Sequence, residues 1–121
     1  MENEAVRGCA GAHNRKMRGE LKASDRVLVL GIEKCPATRL REWATALSEG
    51  FLVGVGPEEE VRALRRELAE LDNAMFTVGD RWEIPWRDAF FTLILDVEGS
   101  AQTPEMKRVL AAGGRVSIIE T

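Results

Sequence analysis

Cysteine and histidine are nearly absent from this chain, which has two cysteines and one histidine among its 121 residues. Cys9 and Cys35 are too few and too differently placed to build a disulfide framework, so free thiols are expected. Cys9 and His13 would make two metal ligands at most. A structural zinc site takes four, and no further Cys/His cluster follows, so no metal is expected. Long apolar runs are also missing: none approaches the roughly 20 residues needed to cross a bilayer. The N-terminal stretch lacks the apolar segment of a secretory signal. A cytoplasmic location without membrane contact is therefore expected. A formal charge of −3 and a pI near 5.3 give no global attraction to nucleic acid, and no such partner is expected.

What remains is an ordinary globular mixture, 45% hydrophobic and 31% charged, which argues against disorder. The length suits one domain with a core of its own. Residues 1–24 read as a polar N-terminal arm with room for a short helix over 15–23, and residues 25–121 read as the domain. From Asp25 the pattern changes: Val27-Leu28-Val29-Leu30 is a continuous apolar run between charge and glycine, as in a strand covered on both faces.

The spacing of Leu40, Trp43, Ala44 and Leu47 predicts a helix over 37–49, stopped by Gly50, with Trp43 in the core. Phe51 to Val55 predicts a second strand. Pro57 followed by Glu58, Glu59 and Glu60 predicts a helix start, with acids at the positive dipole end. Ala74 to Val78 and Phe90 to Leu95 predict strands three and four. A helix is expected from Thr103-Pro104 to a stop at Gly113-Gly114, and a fifth strand over 115–120. Strands alternating with helical crossovers imply an α/β, Rossmann-like doubly wound parallel sheet of about five strands, ordered 3-2-1-4-5. Ligands of such sheets sit beyond the carboxyl ends of the strands, beside strand one.

The dinucleotide fingerprint G-x-G-x-x-G is absent there. The loop after strand one instead reads Gly31-Ile32-Glu33-Lys34-Cys35-Pro36. Taken with Val53-Gly54-Val55-Gly56-Pro57, Val78-Gly79-Asp80, Ile84-Pro85-Trp86, Phe90 to Ile94, Lys107 to Leu110 and Gly113 to Val116, the order and spacing resemble a class I S-adenosylmethionine-dependent methyltransferase of the small-molecule, "type 11" kind. The resemblance covers about residues 25–121.

The resemblance implies a cofactor site at Gly31, Glu33, Gly56, Asp80, Arg81, Trp82 and Asp96. In the family a glycine-rich loop follows strand one. Its second and third glycines fall here on Glu33 and Cys35, which puts side chains where the cofactor's methionine part passes. Glu33 also opposes a ligand carboxylate unless Lys34 or Arg39 offsets it. The family's ribose-holding acid falls on Gly56; Glu58 is near it, but at a helix start where it serves the dipole. Gly79-Asp80 matches the adenine-binding element. The other reading of Asp80-Arg81-Trp82 is a strand-ending Asp turn with a tryptophan packed over the core. Asp96 and Glu98 fall where a general base for a methyl acceptor would stand, or are solvated acids at a strand end. Trp86 either covers the sheet edge or lines a cleft. Complete members carry further C-terminal strands that this sequence is expected to lack.

Two functional readings follow. In the first, S-adenosylmethionine binding is weakened or lost and the domain is a non-catalytic binding or assembly module. In the second, it is a minimal methyltransferase completed by self-association or a partner. An uncovered strand five, with Val116, Ile118 and Ile119, would make a homodimer or protein contact through that edge.

Overall fold

The computed structural model describes residues 21–97, 99 and 102–119. Cys9, His13, Glu98, Glu120, most of the expected arm and most of the 15–23 helix lie outside them. Within them, residues 23–24 form a turn rather than a helix end, and Leu21 already packs against the core.

Five strands form one parallel sheet: β1 Arg26–Leu30, β2 Phe51–Gly56, β3 Ala74–Val78, β4 Phe91–Asp96 and β5 Leu110–Ile118. Their order is β3-β2-β1-β4-β5, the doubly wound arrangement. Side-chain alternation sends Val27 and Val29 of β1 to one face and Leu28 and Leu30 to the other, and both faces are buried. Helices α1 (Ala37–Ala46) and α2 (Glu58–Glu67) cover the first face with Leu40, Trp43, Val61 and Leu64. Helix α3 (Pro104–Val109) covers the second with Met106 and Val109. Each of these fully enclosed aliphatic side chains contributes about 1.5–3 kcal/mol.

Helix starts follow the local chemistry. Pro57 stands at the N-cap of α2, with Glu58, Glu59 and Glu60 in the first turn and Arg65 and Arg66 in the last. Thr103 caps α3, its hydroxyl accepting from the Met106 N–H at 3.1 Å. The end of α3 differs from the sequence expectation. The carbonyls of Arg108 and Val109 accept from Ala89 N–H and Phe90 N–H at 2.8 Å each, so the chain leaves the helix early. Leu110 then pairs with Phe91, while regular pairing resumes at Arg115 opposite Leu93. Gly113-Gly114 therefore lies in an irregular stretch of β5, with Gly113 at φ +79°, and does not stop the helix.

At the amino ends of the strands Asp25 ties three elements together. Its carboxylate accepts from the Thr92 hydroxyl, the Lys22 N–H and Arg115 at 2.8, 2.9 and 3.0 Å. Burial pushes this carboxyl up, and those three donors outweigh it, leaving it below its usual value. Trp86 sits at the same end, its ring 5.7–6.2 Å from those of Phe51, Phe90 and Phe91.

Candidate functional site

The opposite, carboxyl ends of β1, β2 and β3 open onto a cleft of about 680 Å³, within the range of small-molecule sites. β1 contributes Leu30 and Gly31, β2 contributes Val55, Gly56 and Pro57, and β3 contributes Val78, Gly79 and Asp80. Glu33, Arg81, Glu83 and Pro85 complete the described lining. Five of the seven residues singled out in the sequence thus meet here: Gly31, Glu33, Gly56, Asp80 and Arg81. Trp82 and Asp96 do not line it.

The turn after β1 explains the first of these. Gly31 adopts φ 87°, ψ 39°, a left-handed conformation that strains other residues. It starts a single 3-10 turn, Ile32–Lys34. That turn drives Ile32 inward, to 1% exposure, and leaves Glu33 exposed over the cleft. Ile32 lies across the end of β2. A Cβ built on Gly56 would stand 2.5 Å from Ile32 Cγ1, and 3.3 Å from Glu33 Oε1. Gly56 is therefore a steric requirement of the Ile32 side chain. The Glu33 carboxylate lies beside the point where a residue-56 side chain would begin. No hydrogen bond or ion pair is made to that carboxylate among the described residues.

Cys35, expected beside the ligand path, is corrected by the structure. The same turn points it into the core with Leu40 and Trp43. Burial pushes its thiol up to about 12, against a smaller opposing pull from Arg39. A thiol so raised and enclosed is neither a nucleophile nor a ligand contact.

The segment after β3 is built by Asp80. Its Oδ1 accepts from Trp82 N–H at 2.9 Å and Glu83 N–H at 3.0 Å, and the Asp80 and Glu83 backbones bond to each other. This tight turn extrudes Trp82, 65% exposed, at its tip, while Asp80 itself lines the cleft. Trp82 neither packs over the core nor lines the cleft.

Arg81 turns the other way. It is 5% exposed and donates to Asp96 Oδ1 at 3.2 Å and Oδ2 at 2.5 Å, while its carbonyl accepts from the Thr103 hydroxyl at 2.6 Å. Asp96, wholly buried at the end of β4, accepts in addition from Gly99 N–H. Both Asp96 oxygens are thus engaged internally.

The wall carrying Glu83 and Pro85 is clamped by two residues of α3 that sequence reading passed over. Glu105 accepts from Ile84 N–H at 2.9 Å and from Arg108, and Arg108 donates to the carbonyls of Ile84 and Trp86 and to Asp88. The Arg108 guanidinium, helped by the Ile84 N–H, holds the Glu105 carboxyl down at about 2. Its i,i+3 spacing was the available signal. Trp86 lines a separate shallow groove of about 440 Å³ with Phe51, Met75, Pro85, Arg87 and Phe90, at the other end of the sheet.

Among the described residues no group of three or more His, Cys, Asp or Glu is placed to hold a metal ion. No described helix is long and apolar enough to cross a membrane.

No protein-family model and no curated protein matches the sequence. Solved structures do match in fold. A SAM-dependent methyltransferase from Aquifex aeolicus superposes with a TM-score of 0.74 at 19% identity, over 87% of this chain and 62% of that one. The YcgJ protein from Bacillus subtilis gives 0.67 at 22% identity, over 88% and 49%. A geranyl diphosphate methyltransferase in complex with SAM gives 0.67 at 17%, over 90% and 48%. The chain spans about half to three fifths of the length of these structures. It has the Rossmann-like fold of class I S-adenosylmethionine-dependent methyltransferases.

Proposed function

We propose that this chain is a methyltransferase-fold domain in which S-adenosylmethionine binding is weakened and which acts as a non-catalytic binding or assembly module. The observation that carries the reading is the packing at Gly56, where the Ile32 side chain fills the space of a ribose-holding acid. Glu33, Asp80 and Glu83 line the cleft, and the one cation among the described lining residues, Arg81, is tied to Asp96. The cofactor's methionine carboxylate would find no free guanidinium or ammonium among the described lining residues to receive it, although the cofactor's own ammonium and sulfonium carry the opposite charge. The residues present therefore fit this cofactor poorly, and no methyl-transfer step is assigned.

Asp80, Gly31, Gly56 and Glu33 are the positions proposed to border whatever occupies the cleft. Arg81 and Asp96 hold its floor from behind, and Trp82 stands outside it at the turn tip. Within the fold, the motif order supports the small-molecule, type 11 branch, and the proposed setting is the cytoplasm. The test is calorimetry with S-adenosylmethionine and S-adenosylhomocysteine. Affinity no better than high micromolar is expected, and clear saturation at low micromolar ligand overturns the reading.

The assembly part rests on β5. In the sheet order this strand is an edge, and Ile118 on it is 58% exposed. A β-branched residue presented on an edge favours pairing with a second strand, here of another copy of this chain. In the rival reading, a minimal methyltransferase, the same association would complete an acceptor site.

A further inference from the structure

We propose that Arg65 guards the outer edge of β3: its guanidinium occupies the Phe76 carbonyl and so withholds this edge from a strand of a second copy of this chain. The edge concerned is the one opposite β5, and the proposal stands apart from the reading of the cleft.

The sheet order leaves two edges, β3 and β5. In a parallel pair, alternate residues direct their backbone groups at the neighbouring strand. Leu52 N–H donates to the Asn73 carbonyl at 2.9 Å, and Gly79 N–H donates to the Gly56 carbonyl at 3.1 Å. Positions 73, 75, 77 and 79 therefore face β2, and Ala74, Phe76 and Val78 turn their backbone groups outward. The strand itself, Ala74-Met75-Phe76-Thr77-Val78, holds neither charge nor proline. Met75 and Val78 on it are 46% and 50% exposed. An apolar edge of this composition is a template for a further strand unless something closes it.

The closing group comes from α2. Arg65 reaches the edge and donates to the Phe76 carbonyl twice, from Nε at 3.0 Å and from a terminal nitrogen at 2.9 Å. Phe76 is the middle residue of β3, so a strand laid along this edge needs that carbonyl for one of its own N–H groups. To pair there it must displace two hydrogen bonds from a charged donor and gain one from a neutral amide. Arg65 also lines a concavity of about 270 Å³ beside the edge, whose other described lining residues, among them Leu68, Leu71 and Met75, are apolar. Without the guanidinium, that concavity is an apolar seat for a side chain of the added strand.

The test is sedimentation equilibrium of the intact chain carrying Ile118→Lys, which blocks β5, with and without Arg65→Met. Methionine keeps an apolar stem at the edge and removes every donor, and circular dichroism verifies the fold. If the methionine variant does not fold, Arg65→Gln carries the same comparison. Losing the charged donor is expected to raise the self-association constant about tenfold or more. Backbone amide resonances of Phe76 and Val78 should then shift with protein concentration, and stay fixed where Arg65 is intact. Gly56→Ala in the same Ile118→Lys background loosens the fold with Arg65 in place and should leave association unchanged. Unchanged association on loss of Arg65 overturns the proposal, as does an equal rise in Gly56→Ala, or concentration-dependent shifts that spare β3. A wild-type chain that stays monomeric removes the β5 reading alone, because the Arg65 comparison is made with that edge already blocked.

Discussion

Asp96→Asn separates a structural from a chemical role for the carboxylate at the end of β4. The side chains of Arg81 and Asp96 are 5% and 1% exposed and are joined by two hydrogen bonds. Removing one charge from an enclosed pair leaves the other without compensation, which typically costs about 3–5 kcal/mol. Asparagine keeps the shape and one acceptor, so the lower end of that range, about 3 kcal/mol, is expected. For a domain of this size, that lowers Tm by more than about 10 °C. Urea unfolding gives the number through the midpoint at constant slope. Arg81→Met combined with Asp96→Leu removes both charges and should recover most of the loss. A loss under about 1 kcal/mol for Asp96→Asn would refute the argument, because it would mean that water reaches the pair and screens it.

Gly56→Ala should destabilise by about 1–3 kcal/mol through overpacking on Ile32, and adding Ile32→Ala should recover part of that by opening the contact; equal losses with and without Ile32 would show that the collision is absent. The Glu105 carboxyl is held down at about 2 in the folded chain. Its contribution is therefore complete above the ordinary glutamate value of about 4.3 and fades as pH falls from there toward 2. Glu105→Gln should lower stability at neutral pH and flatten the loss across that acidic window, as read by urea midpoints at a series of pH values; an unchanged slope contradicts it. Sedimentation equilibrium should show self-association of the wild-type chain that Ile118→Lys abolishes, and a wild type that stays monomeric at high micromolar concentration removes the edge-pairing proposal.

The sheet was legible because its signals are local. Val27 to Leu30 and Phe51 to Val55 are apolar runs that only a doubly covered strand explains, and Pro57 with three glutamates marks a helix start without reference to the rest of the chain. The end of α3 was not, since Gly113-Gly114 carries a stop signal while the actual stop comes from Ala89 and Phe90 reaching the carbonyls of Arg108 and Val109.

In the cleft, the strand ends told which residues gather, but not how their side chains turn. A single 3-10 turn after Gly31 decides that Cys35 and Ile32 go inward and Glu33 outward. Nothing in the residue types of 32–35 reveals that rotation. Likewise the Arg81–Asp96 pair joins positions 15 apart in the chain, and only the packing of the β3–β4 segment against α3 brings them together. Trp82 is placed outside by the Asp80 turn, whose capping chemistry was visible but whose direction was not.

The central claim, that Ile32 fills the space of a ribose-holding acid at Gly56 and so leaves S-adenosylmethionine weakly held, is tested most directly by residue-resolved titration. Backbone amide resonances of Gly31, Glu33, Gly56 and Asp80 would be followed in the ¹⁵N-labelled chain as S-adenosylmethionine is added. The account predicts small shifts in fast exchange that continue to grow into the high micromolar range. Saturation at low micromolar ligand, with slow exchange at those four residues, would contradict it.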